Sequence, residues 1–471
     1  MLLVCPALHF FTPQTNLLPM SSLLIIGAGP GGYECAVKAA KAGLEVHVVD
    51  SASHLGGTCL SEGCIPTKCL CHTAELLSSL HAAPSNGIHA PLERFDLSAA
   101  IDRKDQVVAT LRSGIQALLK TPGITFHEGR AQFVPGDAHT VVVGDEKITA
   151  DHVLIATGSV PRSLPIPGND TPGVLTSTEM LQLREVPARL CVIGGGVIGL
   201  EFAAIFNTFG SKVTVIEYCK EILPPFDSDV AKRLRTTLKK QGIEFVTGAP
   251  VTAIHADDTQ GGELHVSYEH RGAVHDAVAD VVLMAVGRAA NVDSLNLAEA
   301  GIEFTPRGIV VDENFQTNVP GVYAVGDING RLQLAHAATF QSYHALNHIL
   351  GKPAETDLNL VPAAVFTHPE VAMVGLTEAQ AKEQCPGVTV RKGFYRANGR
   401  ALSMDAGADG YLKVILSPEE KVLGAHILGA HASELIHEVA LLMSTGQPLS
   451  TLLHTVHAHP SLSEILLQLG E

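Results

Sequence analysis

No run of more than two consecutive lysines and arginines occurs in this chain, and its 32 basic residues are outnumbered by 48 acidic ones, for a formal net charge of −16. That balance excludes nucleic acid as a natural partner, because phosphate recognition needs concentrated positive charge. Long hydrophobic runs are also missing. No stretch reaches the roughly 18 apolar residues that a membrane-spanning helix requires. Charged residues are sparse at 17%, aromatics make up 5%, and tryptophan is absent. Cysteine is present nine times, but as an odd number without framework spacing. Secreted disulfide scaffolds are thereby excluded, and a reducing, cytoplasmic setting is expected. Any disulfide in such a chain is more naturally catalytic than structural.

What is present is a long, apolar, glycine-rich chain: 471 residues, 46% hydrophobic, with 44 glycines. This length suits two or three cores rather than one. The first residues, MLLVCPALHFFTPQTNLLPM, are apolar but carry no Lys or Arg. A signal peptide wants a basic start and a transit peptide wants arginines. Residues 1–19 are therefore read as an extension ahead of a working start at Met20.

The main organising feature is an internal repeat. SSLLIIGAGPGGYECAVKAAKAGLEVHVVD (21–50) parallels RLCVIGGGVIGLEFAAIFNTFGSKVTVIE (189–217). Gly27, Gly29 and Gly32 correspond to Gly194, Gly196 and Gly199, and Asp50 to Glu217, all at one offset of 167 positions. Each copy reads as an apolar strand, a glycine turn, a helix with small residues and a β-branched strand ending in an acid. Glycines at this spacing let backbone amides approach a pyrophosphate at a helix N-terminus, and an acid 23 residues on accepts from a ribose hydroxyl. Two such units imply two bound dinucleotides. Glu217 would repel a 2′-phosphate, which favours NAD over NADP at the second. The Pro-rich SVPRSLPIPGNDTPG (159–173) reads as a linker, and the composition turns β-rich from Pro362.

GGTCLSEGCIPTK (56–68) is the sharpest chemical signal. Cys59 and Cys64 are five residues apart. On an ideal helix that is a rise of about 7.5 Å, more than a disulfide spans, so bridging needs a distorted first turn, which Gly63 permits. A helix N-terminus and nearby Lys68 would favour thiolate. Two unlinked core cysteines or half of a metal site are the competing readings, although no second cysteine pair or nearby histidine cluster completes a metal site. Near the C-terminus, HAHPSLSE (457–464) offers an acid–base group. Pro460 is expected at the first position of a helix, from which Glu464 reaches back to orient His459.

Taken in order, these segments with LIATGS, AVGR, TNVPGVYAVGD and FTHPEVAMVGLTE make residues 22–471 resemble the FAD-dependent pyridine nucleotide–disulfide oxidoreductases, nearest to the dihydrolipoamide dehydrogenases. The resemblance implies an α/β fold: two Rossmann-like dinucleotide-binding domains plus a C-terminal α+β dimerisation domain. The implied bounds are 20–160 with 288–356 for FAD, 161–287 for NAD and 357–471 for dimerisation. It implies FAD against Gly27, Gly29, Gly32, Asp50, Lys68, Thr157, Gly158, Asp327 and Ala335. NAD would lie against Gly194, Gly196, Gly199, Glu217, Gly287 and Arg288. Cys59 becomes the thiol facing substrate, Cys64 the thiol facing the flavin, and Lys68 and Glu201 a pair beside it. His459 and Glu464 would serve the pair of the other subunit of a homodimer. The implied partner is a lipoyl-bearing protein of a 2-oxoacid dehydrogenase or glycine-cleavage complex.

Some positions depart from the family pattern. Ser61-Glu62 stands where Asn-Val is common, and Glu62 is expected to raise the thiolate pKa. Asp50 replaces a longer Glu, and Ala337-Ala338-Thr339-Phe340 replaces an acidic run. Glutathione-reductase-like and mercuric-reductase-like activities are the rivals within the class. A non-catalytic assembly subunit on the same fold is the rival outside it.

Overall fold

The computed structural model describes residues 21–257, 262–293, 295–404 and 410–470. The extension expected over residues 1–19 lies outside the described residues.

The repeat read from two βαβ units extends much further in space. The first sheet is parallel, in the order Val322–Ala324, His152–Ile155, Ser22–Ile26, Glu45–Asp50, Ile124–Glu128. The second runs Val174–Leu175, Val281–Met284, Arg189–Ile193, Lys212–Glu217, Glu244–Thr247, again parallel. Each central strand, SLLII or RLCVI, is buried along nearly its whole length. A parallel sheet is covered on both faces, which is why these strands are continuously apolar rather than alternating. Each unit also carries a three-stranded antiparallel meander, over Ala131–Thr149 and Val251–Ala279, before the strand His152–Ile155 or Val281–Met284. The chain thus contains two Rossmann-like domains that share the order of four strands, the fifth, edge strand coming last along the chain in the first domain and first in the second.

The predicted linker is partly structured. Ser159–Pro161 pairs antiparallel with Arg288–Ala290, so the two chain crossings between the domains form one small ribbon. Two long helices, Cys64–Ala82 and Leu97–Leu118, follow the strand Glu45–Asp50 of the first sheet.

The third unit is an antiparallel sheet in the order Ala363–Val365, Glu370–Gly375, Val422–Gly429, Tyr411–Leu416, Thr389–Phe394, covered by the helix Ala432–Ser444. A buried ion cluster joins it to the second Rossmann-like domain. Lys413, 1% exposed, lies 2.8 Å from Asp227, 3.2 Å from Asp229 and 2.6 Å from Glu378. Burial pushes the Asp227 carboxyl up, but hydrogen bonds from Lys413 and the Glu378 amide outweigh it and hold the group below the usual range. Lys413→Ala strands the buried Asp227 carboxylate in the interior and is expected to destabilise by about 3–5 kcal/mol. Thermal melting at pH 7 measures this as a lowered Tm. A group held low contributes stability above its ordinary pKa and loses it in acid, so the gap between wild type and variant should narrow below about pH 4.

Candidate active site

A single cavity of about 2300 Å³ runs between the domains. This is more than twice the roughly 300–1,000 Å³ of an ordinary ligand pocket, room for more than one large ligand. Both glycine turns open onto it. Gly27 and Gly194 have φ of +101° and +109°, and a Cβ on either would lie 2.4 Å or 2.3 Å from a strand carbonyl oxygen. Only glycine fits there. Gly32 and Gly199 stand behind the wall instead. A Cβ there would strike the carbonyl oxygens of Gly27 and Gly194, so these two glycines serve helix–strand packing.

The two acids play matching parts. Asp50 accepts from the amides of Ala28 (2.6 Å) and Ser51 (2.7 Å), and Glu217 from those of Gly195 (2.5 Å) and Cys219 (2.6 Å). Each carboxylate thus braces its own glycine turn while lining the cavity. Four lone-pair positions per carboxylate leave acceptor capacity for a ribose hydroxyl.

The cysteine segment breaks where the spacing demanded it. One short helix, Gly57–Ser61, carries Cys59, and a second, Cys64–Ala82, begins at Cys64. Gly63 lies between them, where a Cβ would come 2.9 Å from the Thr58 carbonyl oxygen. Both sulfurs are free thiols lining the cavity, Cys59 half-buried and Cys64 exposed. A hydrogen bond from Cys59, opposed by burial and assisted by Lys68, brings the Cys64 thiol down to about 7. The same hydrogen bond and burial push Cys59 up. The helix N-terminus at Cys64 also favours its anion. Glu62 is engaged elsewhere: Thr178 donates to it at 2.6 Å, and His54 stands 3.7 Å away. The groups that act most on Cys64 are Cys59, Lys68 and Glu201.

Lys68, one helical turn beyond Cys64, donates to both oxygens of Glu201 at 3.0 and 2.9 Å. Burial lowers the Lys68 pKa, but the Glu201 charge reverses this, and the ammonium is held above its usual range. Phe366 completes the arrangement, its amide donating to Glu201 at 2.9 Å and its ring lying 4.5 Å below the Lys68 nitrogen. Sequence reasoning missed this residue, although it sits in the FTHPE segment. Asp327 accepts from the Ser159 hydroxyl at 2.5 Å, and Ser159 in turn accepts from Arg288. Arg288, grouped with NAD by the resemblance, therefore stands beside Asp327. Thr157, Gly158, Asp327, Ala335, Gly287 and Arg288 all line the cavity.

His459 and Glu464 are brought together as expected, but away from this wall. Glu464 accepts from His459 Nδ1 at 2.9 Å and from the Ser461 amide at 2.8 Å. The amide and the imidazole hold its carboxyl below the usual range. The His459 ring is 81% exposed, with Nε2 unbonded among the described residues. Pro460 does not open a helix as expected: the His459–Pro460 peptide is cis and the helical turn begins at Ser463. The Asn398 side chain donates to the carbonyls of Ser461 and Leu462, and the Leu462 carbonyl also accepts from the Ile465 amide in the first turn.

The arrangement combines a reactive thiol pair, a buried ion pair, two dinucleotide turns and a separate imidazole–carboxylate dyad. Residues 21–342 match the model of the pyridine nucleotide-disulphide oxidoreductases, and residues 361–469 match their dimerisation domain. The chain belongs to this family. The dihydrolipoyl dehydrogenase of Chlamydia muridarum is 38% identical over 448 residues, 94% of each chain. The mitochondrial dihydrolipoyl dehydrogenase of Pisum sativum is 37% identical over 454 residues, 95% of this chain and 90% of the relative. Among solved structures, the HOCl-induced flavoprotein disulfide reductase RclA from Escherichia coli is similar at a TM-score of 0.85 and 34% identity, covering 95% of this chain and 99% of that one. Like other pyridine nucleotide–disulphide oxidoreductases, this is a flavoprotein enzyme working with FAD and NAD(H). The cavity fits such groups, since both glycine turns present backbone amides to it without a side chain in the way.

Proposed function

We propose that the chain is a dihydrolipoyl dehydrogenase, acting as a homodimer on the lipoyl group of a 2-oxoacid dehydrogenase or glycine-cleavage complex in the cytoplasm. The proposal assigns residues 20–160 and 288–356 to FAD, 161–287 to NAD and 357–471 to dimerisation. The observation that carries it is the Cys59–Cys64 pair on the cavity wall together with an exposed His459–Glu464 dyad that has no thiol hydrogen-bonded to it among the described residues.

In this reading His459 Nε2 takes the proton from one thiol of dihydrolipoamide, and Glu464 stabilises the resulting imidazolium. The substrate thiolate attacks Cys59 Sγ of the oxidised pair. A mixed disulfide forms and the Cys59–Cys64 bond breaks, with Cys64 leaving as thiolate. The Lys68 ammonium beside it favours the departing thiolate. The second substrate thiol, deprotonated in turn, attacks the first substrate sulfur and releases Cys59, so lipoamide leaves and the pair holds two electrons. Gly27, Gly29, Asp50, Thr157, Gly158, Asp327 and Ala335 would hold FAD, and Gly194, Gly196, Glu217 and Gly287 would hold NAD. When bound, FAD supplies the electron carrier between the thiols and NAD⁺. Lys68 and Glu201 keep a fixed, neutralised pair beside Cys64.

A second reading, a reductase of another disulfide, is favoured by the likeness to RclA. Turnover of lipoamide, glutathione disulfide and coenzyme A disulfide, each with NADH and NADPH, separates the two. The expected result is selective use of lipoamide with NADH. Glu217 should favour NADH over NADPH by at least about 100-fold in kcat/KM, the size of a buried charge repulsion of some 3 kcal/mol. Equal values would remove Glu217 from the ribose site.

A further inference from the structure

Residues 454–462 join the short helix Leu449–Leu453 to the turn at Ser463, and they present His459. Among the described residues, no backbone hydrogen bond ties residues 456–460 to any strand or helix. Val456 is 95% exposed. The rear of the segment is anchored by Glu464 and Asn398. At the front the Thr455 hydroxyl donates to the Thr451 carbonyl at 2.9 Å, and beyond it there is one side-chain anchor. His457, whose side chain is 5% exposed, has Nε2 2.8 Å from the Glu438 carboxylate and Nδ1 2.9 Å from the Thr455 carbonyl oxygen.

The two histidines are therefore unlike. His459 has one nitrogen bound and one open, as a base requires, whereas both nitrogens of His457 are committed to acceptors. Glu438 belongs to the helix Ala432–Ser444, of which Ile436, His437, Ala440 and Leu441 border the cavity. The His457–Glu438 bond consequently ties the base-bearing segment to the helix that flanks the cavity. We infer that His457 and Glu438 are positioning residues, a fastener that fixes where His459 stands. This rests on the proposed base role of His459.

Misplacing a base by about 1 Å costs on the order of 100-fold in rate, so loss of the fastener is expected to lower kcat with dihydrolipoamide by about 10- to 100-fold. KM should change little, since neither residue touches substrate. His457→Leu and Glu438→Met remove the bond at similar volume and should both show this loss. His457→Gln and Glu438→Gln keep a donor or an acceptor at the same reach and should recover most of it. The double variant His457→Leu/Glu438→Met should be no worse than either single one, because a broken bond cannot be broken twice. If the apolar variants do not fold, His457→Asn provides the contrast with His457→Gln. It keeps a donor toward Thr455 but is too short for Glu438.

NADH-linked reduction of ferricyanide, which bypasses the thiols, should be unchanged throughout. Amide hydrogen exchange over residues 454–462 reads the fastening without substrate and should quicken in His457→Leu but not in His457→Gln. Equal kcat in the Leu and Gln variants, or unchanged exchange in His457→Leu, overturns the inference. A wild-type enzyme inactive with dihydrolipoamide would instead overturn the proposed function, and the exchange measurement would still judge the fastener.

Discussion

Cys59→Ser and Cys64→Ser should each lower dihydrolipoamide turnover by on the order of 1,000-fold or more, the scale seen when a nucleophile is deleted from a catalytic unit. Neither loss can be made good by the other sulfur, because their environments differ. Cys64 opens a 19-residue helix and stands one turn from Lys68, while Cys59 sits in the preceding five-residue helix as a donor to Cys64. The same asymmetry sets a pH dependence. With Cys64 at about 7, the ultraviolet absorbance of thiolate in the reduced protein should fall as pH drops through that region. Lys68→Met removes the nearby positive charge and should move the midpoint upward, toward the ordinary thiol value of about 8.5. A midpoint that stays in place would mean that Lys68 does not act on Cys64. Retained lipoamide turnover in either serine variant would remove the pair from the mechanism.

The second large effect is recovery rather than loss. Cys59→Ser and His459→Ala homodimers should both be inactive with dihydrolipoamide. When the two are mixed under conditions of subunit exchange, activity should reappear, at up to about half of wild type per heterodimer, as two-fold symmetry implies. One composite site then carries both lesions, and the other joins an intact Cys59 to an intact His459. The motivation is geometric. His459 is 81% exposed and lies off the cavity wall that holds Cys59 and Cys64. Native mass spectrometry verifies exchange. If heterodimers are present and activity stays at the level of the separate variants, His459 does not serve the other subunit.

Much of this site is local chemistry, and for that reason it was legible in the chain. The glycine turns, the Cys59–Cys64 spacing with its break at Gly63 and the His459–Glu464 contact are each settled within a few residues, where steric limits and side-chain reach decide the outcome. The doubling was legible too, because a buried parallel strand has to be continuously apolar, and two such strands followed by the same glycines read alike.

Tertiary structure decided what depends on long-range partners. Lys68 meets Glu201 across 133 positions, Ser159 meets Asp327 across 168, and Phe366 closes over the ion pair from the third domain. Glu62 looked like a perturber of the thiols by its place between them, yet Thr178, 116 positions away, holds its carboxylate. Pro460 suited a helix start by its ring geometry, but Asn398 holds the two carbonyls that follow. His457 and Lys413 carry no local signal, and the fold alone brings them against Glu438 and Asp227. A sequence determines the backbone choices made within one turn. The electrostatic partner of a buried charge is set by which distant element packs against it, and only the folded chain contains that information.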